Sequence, residues 1–175
     1  MTDLNSKLET IKSNENFLEK IARYIPGYDG YVNRDNAREL DTMLRNTLAD
    51  KLDQNQTRLK NIVLNLSRSG KLFETEGINR LDKKLQQCVA KFRSAARGYS
   101  GAFDVVKVKE DKLNKLYEFD SSLLSVVDSI THGFSELESA SAGGGDIGGK
   151  SSAVSASLDE LLRLFDDREN ILKEI

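Results

Sequence analysis

The chain has 175 residues, which is enough for one domain with a hydrophobic core. Its 26 basic and 28 acidic side chains leave a net charge of −2, so the charge favours neither nucleic acid nor an anionic membrane as a partner. One cysteine, Cys88, excludes an internal disulfide and a thiolate metal site, and one histidine, His132, excludes the usual His-rich metal sites.

Apolar residues recur three or four positions apart along most of the chain, a pattern typical of amphipathic helices. Pro26 and Gly27 end the first predicted helix, Gly70 ends the second, and Gly98 fits the C-terminal cap of the third. Only "DVVKVK", 104–109, alternates like a strand, and one short strand has nothing to pair with. We therefore predict an all-α, antiparallel bundle of about five helices. The predicted helices are 3–24, 33–69, 74–97, 109–139 and 158–175.

The stretch "SASAGGGDIGGKSSAVSAS", 139–157, interrupts the apolar periodicity. From Gly144 to Ser151 it matches the phosphate-binding pattern G-x-x-x-x-G-K-[ST]. Such a loop needs a buried strand before it, whereas here the polar end of a helix precedes it. Gly, Ser and Ala are also the residues of flexible connectors. We therefore predict a flexible linker between a bundle formed by residues 1–138 and a final helix that packs on the bundle or on a neighbouring molecule.

Two short segments resemble each other: "PGYDGY", 26–31, and "RGYSGAF", 97–103. Glycine permits tight turns and close approaches, and tyrosine combines a flat apolar face with one polar tip. In an antiparallel bundle the turn after the first helix and the turn after the third lie at the same end. We therefore predict that both segments meet there, either as a structural cap or as a binding site. The turn residues are Pro26, Gly27, Gly30, Gly98 and Gly101, and the candidate site residues are Tyr28, Tyr31, Arg34, Arg38, Asp41, Tyr99, Phe103 and Asp104.

The stretch "IPGYDGYVNRDNARELDTMLR" resembles the signature of an uncharacterised bacterial family, which is all-helical. The resemblance covers most of the chain, from about Ile25 to the last helix, and implies the fold and the shared sites. The family has no established activity, so no reaction is implied. This chain has fewer arginines after the first motif than the family often has, which weakens an anion-binding role. The steps that carry the resemblance are Asp41 to Arg45, Gly98 to Asp104, and Leu116, Tyr117 and Asp120.

The residues favour an interaction module over an enzyme. Without a second histidine or a reactive cysteine, nucleophilic catalysis has few candidates, and we predict no catalytic residue, metal or cofactor. No apolar run reaches the length of a membrane span and no signal segment is visible, so we predict a cytoplasmic protein. The leading hypothesis is an adaptor or scaffold that binds a protein partner, with a homodimer left open. The alternatives are a small-ligand sensor whose pocket is the Gly-Tyr end, and an enzyme using Tyr28, Tyr99 and nearby arginines.

Overall fold

The computed structural model describes residues 18–28, 34–94 and 110–173, and within the last two ranges the side chains of 39–94 and 115–171. These residues form an all-helical bundle without strands, which confirms the predicted fold class. A short 3-10 turn, η1, precedes the helix that begins at Thr75. The elements are α1 (18–24), α2 (Arg34–Asp53), α3 (Asn55–Arg68), η1 (Leu72–Glu74), α4 (Thr75–Ser94), α5 (Glu110–Gly143) and α6 (Ile147–Lys173).

The helix predicted over 33–69 is divided at one residue, Gln54, into α2 and α3. The Gln54 amide still donates to the Asp50 carbonyl, at 3.1 Å, so the two helices form nearly one rod. The rod ends as predicted at Gly70, whose φ of +74° is readily adopted by glycine. There the Lys71 amide donates to the Leu66 carbonyl at 2.9 Å, the closing bond of a glycine-terminated helix.

The helices form two hairpins that lie side by side. Short connections make α4 antiparallel to the α2–α3 rod and α6 antiparallel to α5, whereas α5 packs along the rod and α6 packs along α4. Between the hairpins the helices run parallel, because their polar contacts advance in the same direction along both elements. These contacts join Lys51 to Asp128 at 2.8 Å, Arg58 to Glu138 at 2.8 Å and Asn65 to Ser141 at 2.9 Å.

The core lies along the axis of the bundle and takes one apolar stripe from each helix, as the periodicity predicted. Burying each such side chain stabilises the fold by roughly 1.5–3 kcal/mol before ordering is counted. Phe92 of α4 and Phe165 of α6 meet edge to face with ring centroids 4.4 Å apart, so the last helix packs on its own bundle. Further buried members of the predicted stripes are Leu40, Leu44, Leu48, Leu52, Leu59, Ile62, Leu66, Ile78, Leu81, Leu85, Cys88, Leu123, Val127, Ile130, Phe134, Leu137, Leu158 and Leu161.

The predicted flexible linker over 139–157 is wrong. Helix α5 continues to Gly143, α6 starts at Ile147, and only three residues connect them. The low helix propensity of this Gly- and Ser-rich segment is outweighed by tertiary packing, because Ile147 and Val154 are buried against the bundle. Small residues also let α5 and α6 approach closely, since a Cβ on Gly133 would lie 2.9 Å from Val154 Cγ2.

Helix α1 is attached to the middle of the bundle by its buried Ile21 and by one carboxylate, Asp128 of α5. It accepts hydrogen bonds from the Tyr24 hydroxyl and from Lys51 Nζ, the latter at 2.8 Å. Lys51 Nζ also lies 4.5 Å from the centre of the Tyr24 ring. The hydrogen bond to Asp128, aided by burial, raises the pKa of Tyr24 above its ordinary value. Asp128 therefore joins three helices. Helix α1 ends at Tyr24, and the turn predicted at Pro26 and Gly27 follows, where Gly27 has a φ of +84°.

Candidate functional site

The predicted Gly-Tyr site is only partly covered by the described residues. Its described flanks, the start of α2 and the end of α4, lie at the same end of the bundle, since Arg45 Nη1 is 3.3 Å from the Phe92 carbonyl oxygen. The side chains of Arg34 and Arg38, in the first turns of α2, lie outside the described residues. The remaining members and turn residues outside the described ranges are Gly30, Tyr31, Gly98, Tyr99, Gly101, Phe103 and Asp104.

The two candidate residues with described side chains, Tyr28 and Asp41, are both buried. Tyr28 is 5% exposed and belongs to the hydrophobic core, directly after the turn at Gly27. Asp41 is 2% exposed and faces the interior from α2. A binding site would leave an aromatic face or a charged group open to its ligand. For these two residues the structure therefore favours the structural cap over the binding site.

Asp41 belongs to a buried polar cluster of two aspartates and two arginines: Asp41, Arg45, Asp120 and Arg168. Arg45 Nε donates to Asp41 Oδ2 at 2.8 Å, one helical turn away on α2. Arg168 of α6 lies 2.7 Å from Asp41 Oδ1 through Nη1, and its Nε donates to Asp120 Oδ1 of α5 at 2.5 Å. All four residues are at most 2% exposed, so the polar cluster is closed to solvent.

The polar cluster connects four helices of the bundle, α2, α4, α5 and α6. Arg45 also donates to the Phe92 carbonyl of α4 and to Thr42 Oγ1, each at 3.3 Å. The two negative and two positive charges of the cluster balance. This balance matters because an unpaired ion inside a protein is strongly destabilising. Such an arrangement fixes which helices meet at this end, and it presents no open carboxylate for acid–base chemistry. Its role is therefore to position helices.

Sequence reasoning identified three members of the polar cluster as motif residues and missed the fourth, Arg168. Asp41, Arg45 and Asp120 are steps of the motifs quoted above. Arg168 continues the apolar stripe of α6, whose earlier members Leu158, Leu161 and Phe165 are fully buried. The spacing of three and four residues along this stripe is a signal that could have placed Arg168 on the buried face, although it does not reveal the charged partners there.

An open groove lies at the opposite end of the bundle, between the first turns of α4 and α6. It encloses about 600 Å³. Phe73 of η1 stands at its rim with 80% of its surface exposed, and its neighbour Leu72 is 62% exposed. The groove is also lined by Lys84, whose Nζ donates to Ser155 Oγ at 2.9 Å and to Asp159 Oδ2 at 2.7 Å. We call this surface the α4–α6 groove; besides Phe73 and Lys84, its lining includes Glu74, Gly77, Arg80, Leu81, Gly148, Ser151 and Ser152.

Two glycines in the α4–α6 groove are not required by the fold. A Cβ on Gly77 would meet nothing within 4 Å, and one on Gly148 would make only an ordinary contact, at 3.8 Å, with Asp146. Neither glycine has a positive φ. Glycine inside a helix is destabilising by roughly 0.5–1 kcal/mol relative to alanine. Steric contact within the chain therefore does not require glycine at either position.

The groove also contains a shielded carboxylate oxygen, Glu74 Oε2, with no hydrogen-bond partner among the described residues. Beside it, Arg80 Nη1 donates to Glu76 Oε1 at 2.6 Å. That pair is mostly exposed, 72% for Arg80 and 79% for Glu76, so water screens it strongly. The groove thus combines an exposed aromatic ring, a carboxylate oxygen without a donor and a weakly held arginine.

The segment that matches a phosphate-binding loop forms the turn between α5 and α6. Gly144 adopts a φ of +75°, and the Gly145 amide donates to the Ala140 carbonyl at 2.9 Å, which closes α5. Asp146 caps α6, because its Oδ1 accepts from the Gly149 amide at 2.9 Å. A carboxylate thus occupies the helix N-terminus that would have to hold phosphate, and a helix precedes the turn where a strand is needed.

The remaining chemical candidates are few within the described part of the chain. No group of three or more His, Cys, Asp or Glu residues there could hold a metal ion. None of the described helices is long and apolar enough to cross a membrane. Cys88 is fully buried, and burial raises the pKa of its thiol to about 11, so it stays protonated and inert. His132 is largely exposed, 3.7 Å from Glu136.

Comparison of the chain with protein-family models, with curated proteins and with solved structures finds no match. The resemblance to the bacterial family therefore stays a prediction that rests on the motifs quoted above.

Proposed function

We propose that this chain is a non-enzymatic helical interaction module, an adaptor or scaffold that binds another protein. The observation that carries the proposal is the α4–α6 groove, where Phe73 is 80% exposed. Its neighbour Leu72 is 62% exposed, and an exposed apolar patch beside a concave surface is a mark of a contact site. The Gly77 and Gly148 positions support the same conclusion, because the isolated fold gains nothing from them.

The proposal moves the docking surface away from the predicted Gly-Tyr end. At that end Tyr28 and Asp41 are buried, and Asp41 is paired with two arginines. A ligand there would have to displace ion pairs that hold four elements together. The small-ligand sensor therefore has no supporting observation among the described residues. A cytoplasmic location belongs to the proposal as well.

Affinity capture with matched variants tests the proposal. The tagged chain, Phe73→Ala, Tyr31→Ala and the control Leu64→Ala are used to capture proteins from the source cells. Leu64 is a suitable control because it is an exposed leucine, 47%, on α3 outside the groove lining. A captured protein is then purified and its Kd measured against each variant.

We expect Phe73→Ala to raise the Kd roughly tenfold or more, as for the central aromatic residue of an interface. Leu64→Ala and Tyr31→Ala should leave the Kd unchanged. A loss of binding with Tyr31→Ala alone would return the docking surface to the Gly-Tyr end. Absence of any partner whose affinity depends on either surface would contradict the proposed function.

A further inference from the structure

We propose that a second copy of this chain docks in the α4–α6 groove, related to the first by a two-fold axis that passes close to Gly77. The inference rests on the proposed function, that this groove is a docking surface, and it names the partner. In a two-fold contact the same patch is used by both copies, so each patch must complement itself. The α4–α6 groove has this property in its charges and in its shape.

The charges are mirrored about Gly77. Glu74 lies three residues before it, Arg80 lies three residues after it, and all three residues line the groove. When two copies of α4 cross antiparallel at Gly77, Glu74 of each copy faces Arg80 of the other. Two identical ion pairs then form, one on each side of the axis.

The contacts that Glu74 and Arg80 make within one chain leave both side chains able to form these ion pairs with a second copy. Oε2 of Glu74 is shielded from solvent and has no hydrogen-bond partner among the described residues. A shielded carboxylate oxygen without a donor is unfavourable, so the carboxylate gains a donor when it turns outward to the guanidinium of a second copy. Arg80 is bound to Glu76 in an exposed pair, which is a weak competitor.

The apolar groups are mirrored in the same way. Phe73, four residues before Gly77, is exposed at the rim, whereas Leu81, four residues after it, lines the groove and is only 2% exposed. Across the same axis, Phe73 of one copy reaches the Leu81 region of the other. At the crossing point Gly77 has open space above it, which lets the two helices approach closely. Phe73 is thus the side chain that fills the groove of the second copy.

Sedimentation velocity over a range of concentrations, with paired charge variants, tests the inference. The wild-type chain should associate reversibly to a dimer. Phe73→Ala and Gly77→Leu should each raise the dimer dissociation constant roughly tenfold or more. Glu74→Arg and Arg80→Glu should each sediment as monomers when alone, because like charges then face each other across the axis. An equimolar mixture of those two variants should form a dimer, since both pairs become complementary again.

The controls separate loss of the contact from loss of the fold. Leu64→Ala changes an exposed leucine outside the groove and should dimerise like wild type. Circular dichroism melts identify any variant that fails to fold, and the mixture rescues only through a direct contact. A dimer that is insensitive to Phe73→Ala and to both charge reversals would overturn the inference by placing the contact elsewhere.

A wild-type chain that stays monomeric up to roughly millimolar concentration would also overturn the second-copy inference, since such a contact would be weaker than about −4 kcal/mol by the conversion of Kd to free energy. That outcome leaves the proposed function standing if a captured protein loses affinity with Phe73→Ala. Binding of a helix from a different protein would then be the occupant. Failure of both experiments would remove the proposed function as well.

Discussion

The two ends of the bundle differ in how they treat polar and apolar groups. At one end, four charged side chains are enclosed and paired with each other, and a tyrosine is buried beside the turn that follows α1. At the other end, a phenylalanine and a leucine are exposed, and a carboxylate oxygen has no hydrogen-bond donor within the described part of the chain. One end has satisfied its own groups; the other has groups that a second molecule would satisfy.

The comparison teaches that motif residues and docking residues need not coincide in this molecule. Asp41, Arg45 and Asp120 carry the motif resemblance, yet they hold helices together in the interior. Phe73 and Gly77 belong to none of the quoted motifs, yet they have no explanation within the isolated fold. The experiments below ask whether the closed end is structural and the open end is available.

The largest expected effect is that of Arg168→Ala at the closed end. It removes the guanidinium shared by Asp41 and Asp120 and leaves buried carboxylates without a cation. Breaking such a pair destabilises by about 3–5 kcal/mol. Urea unfolding followed by circular dichroism measures the loss. Arg163→Ala, on the same helix but 67% exposed, should change stability by less than about 0.5 kcal/mol. Similar values for both variants would contradict a structural polar cluster.

The contact between α4 and α6 should exclude solvent beyond the groove. The reactivity of the buried Cys88 thiol measures whether it does. Its Sγ lies 3.9 Å from the Leu158 carbonyl oxygen, and burial raises the pKa of the thiol to about 11. At pH 8 we expect a thiol reagent to label native Cys88 roughly 100-fold more slowly than the urea-unfolded chain, because the thiolate fraction falls by about two decades. Ser152→Cys, in the groove, should label rapidly. Fast labelling of native Cys88 would show that the two helices separate along their length.

The cap of α6 gives a smaller effect. Asp146→Ala removes the hydrogen bond to the Gly149 amide and should cost about 0.5–2 kcal/mol, measured by urea unfolding. Asp146→Asn keeps a capping oxygen and should lose much less. Calorimetry with ATP and magnesium should show no binding to either variant or to wild type. Micromolar binding that requires Lys150 would establish a nucleotide site and reject the cap.

The smallest expected effect is at the open end, where a substitution should raise the stability of the monomer and not lower it. Gly77→Ala places a methyl group in open space within a helix and should raise monomer stability by about 0.5–1 kcal/mol. Gly133→Ala, between α5 and α6, should instead destabilise, because its Cβ would lie 2.9 Å from Val154 Cγ2. Thermal melts of dilute protein distinguish the two. If Gly77→Ala destabilised the monomer, the glycine would have a role within the fold and the argument for an open groove would weaken.

Much of the fold followed from apolar spacing, and much of the site did not. The stripes around Leu48, Leu85 and Val127 placed the core because helical periodicity depends on local sequence alone. The positive-φ turns at Gly27 and Gly70 were also local, as they need only a residue without a Cβ. The α4–α6 groove was invisible to this reasoning, because it depends on how two distant helices lie side by side.

The sequence by itself therefore determined an all-helical chain, its buried stripes and most of its helix ends, since these follow from spacing, glycine and proline. Tertiary structure decided the rest. It extended α5 and α6 through a Gly/Ser-rich stretch, because burial of Ile147 and Val154 outweighs weak helix propensity. It also turned Arg168 from a surface charge into a core residue, because Asp41 and Asp120, distant in the chain, converge on it. Pairing across helices cannot be read locally, since a buried charge is tolerated only where the folded chain brings its partners.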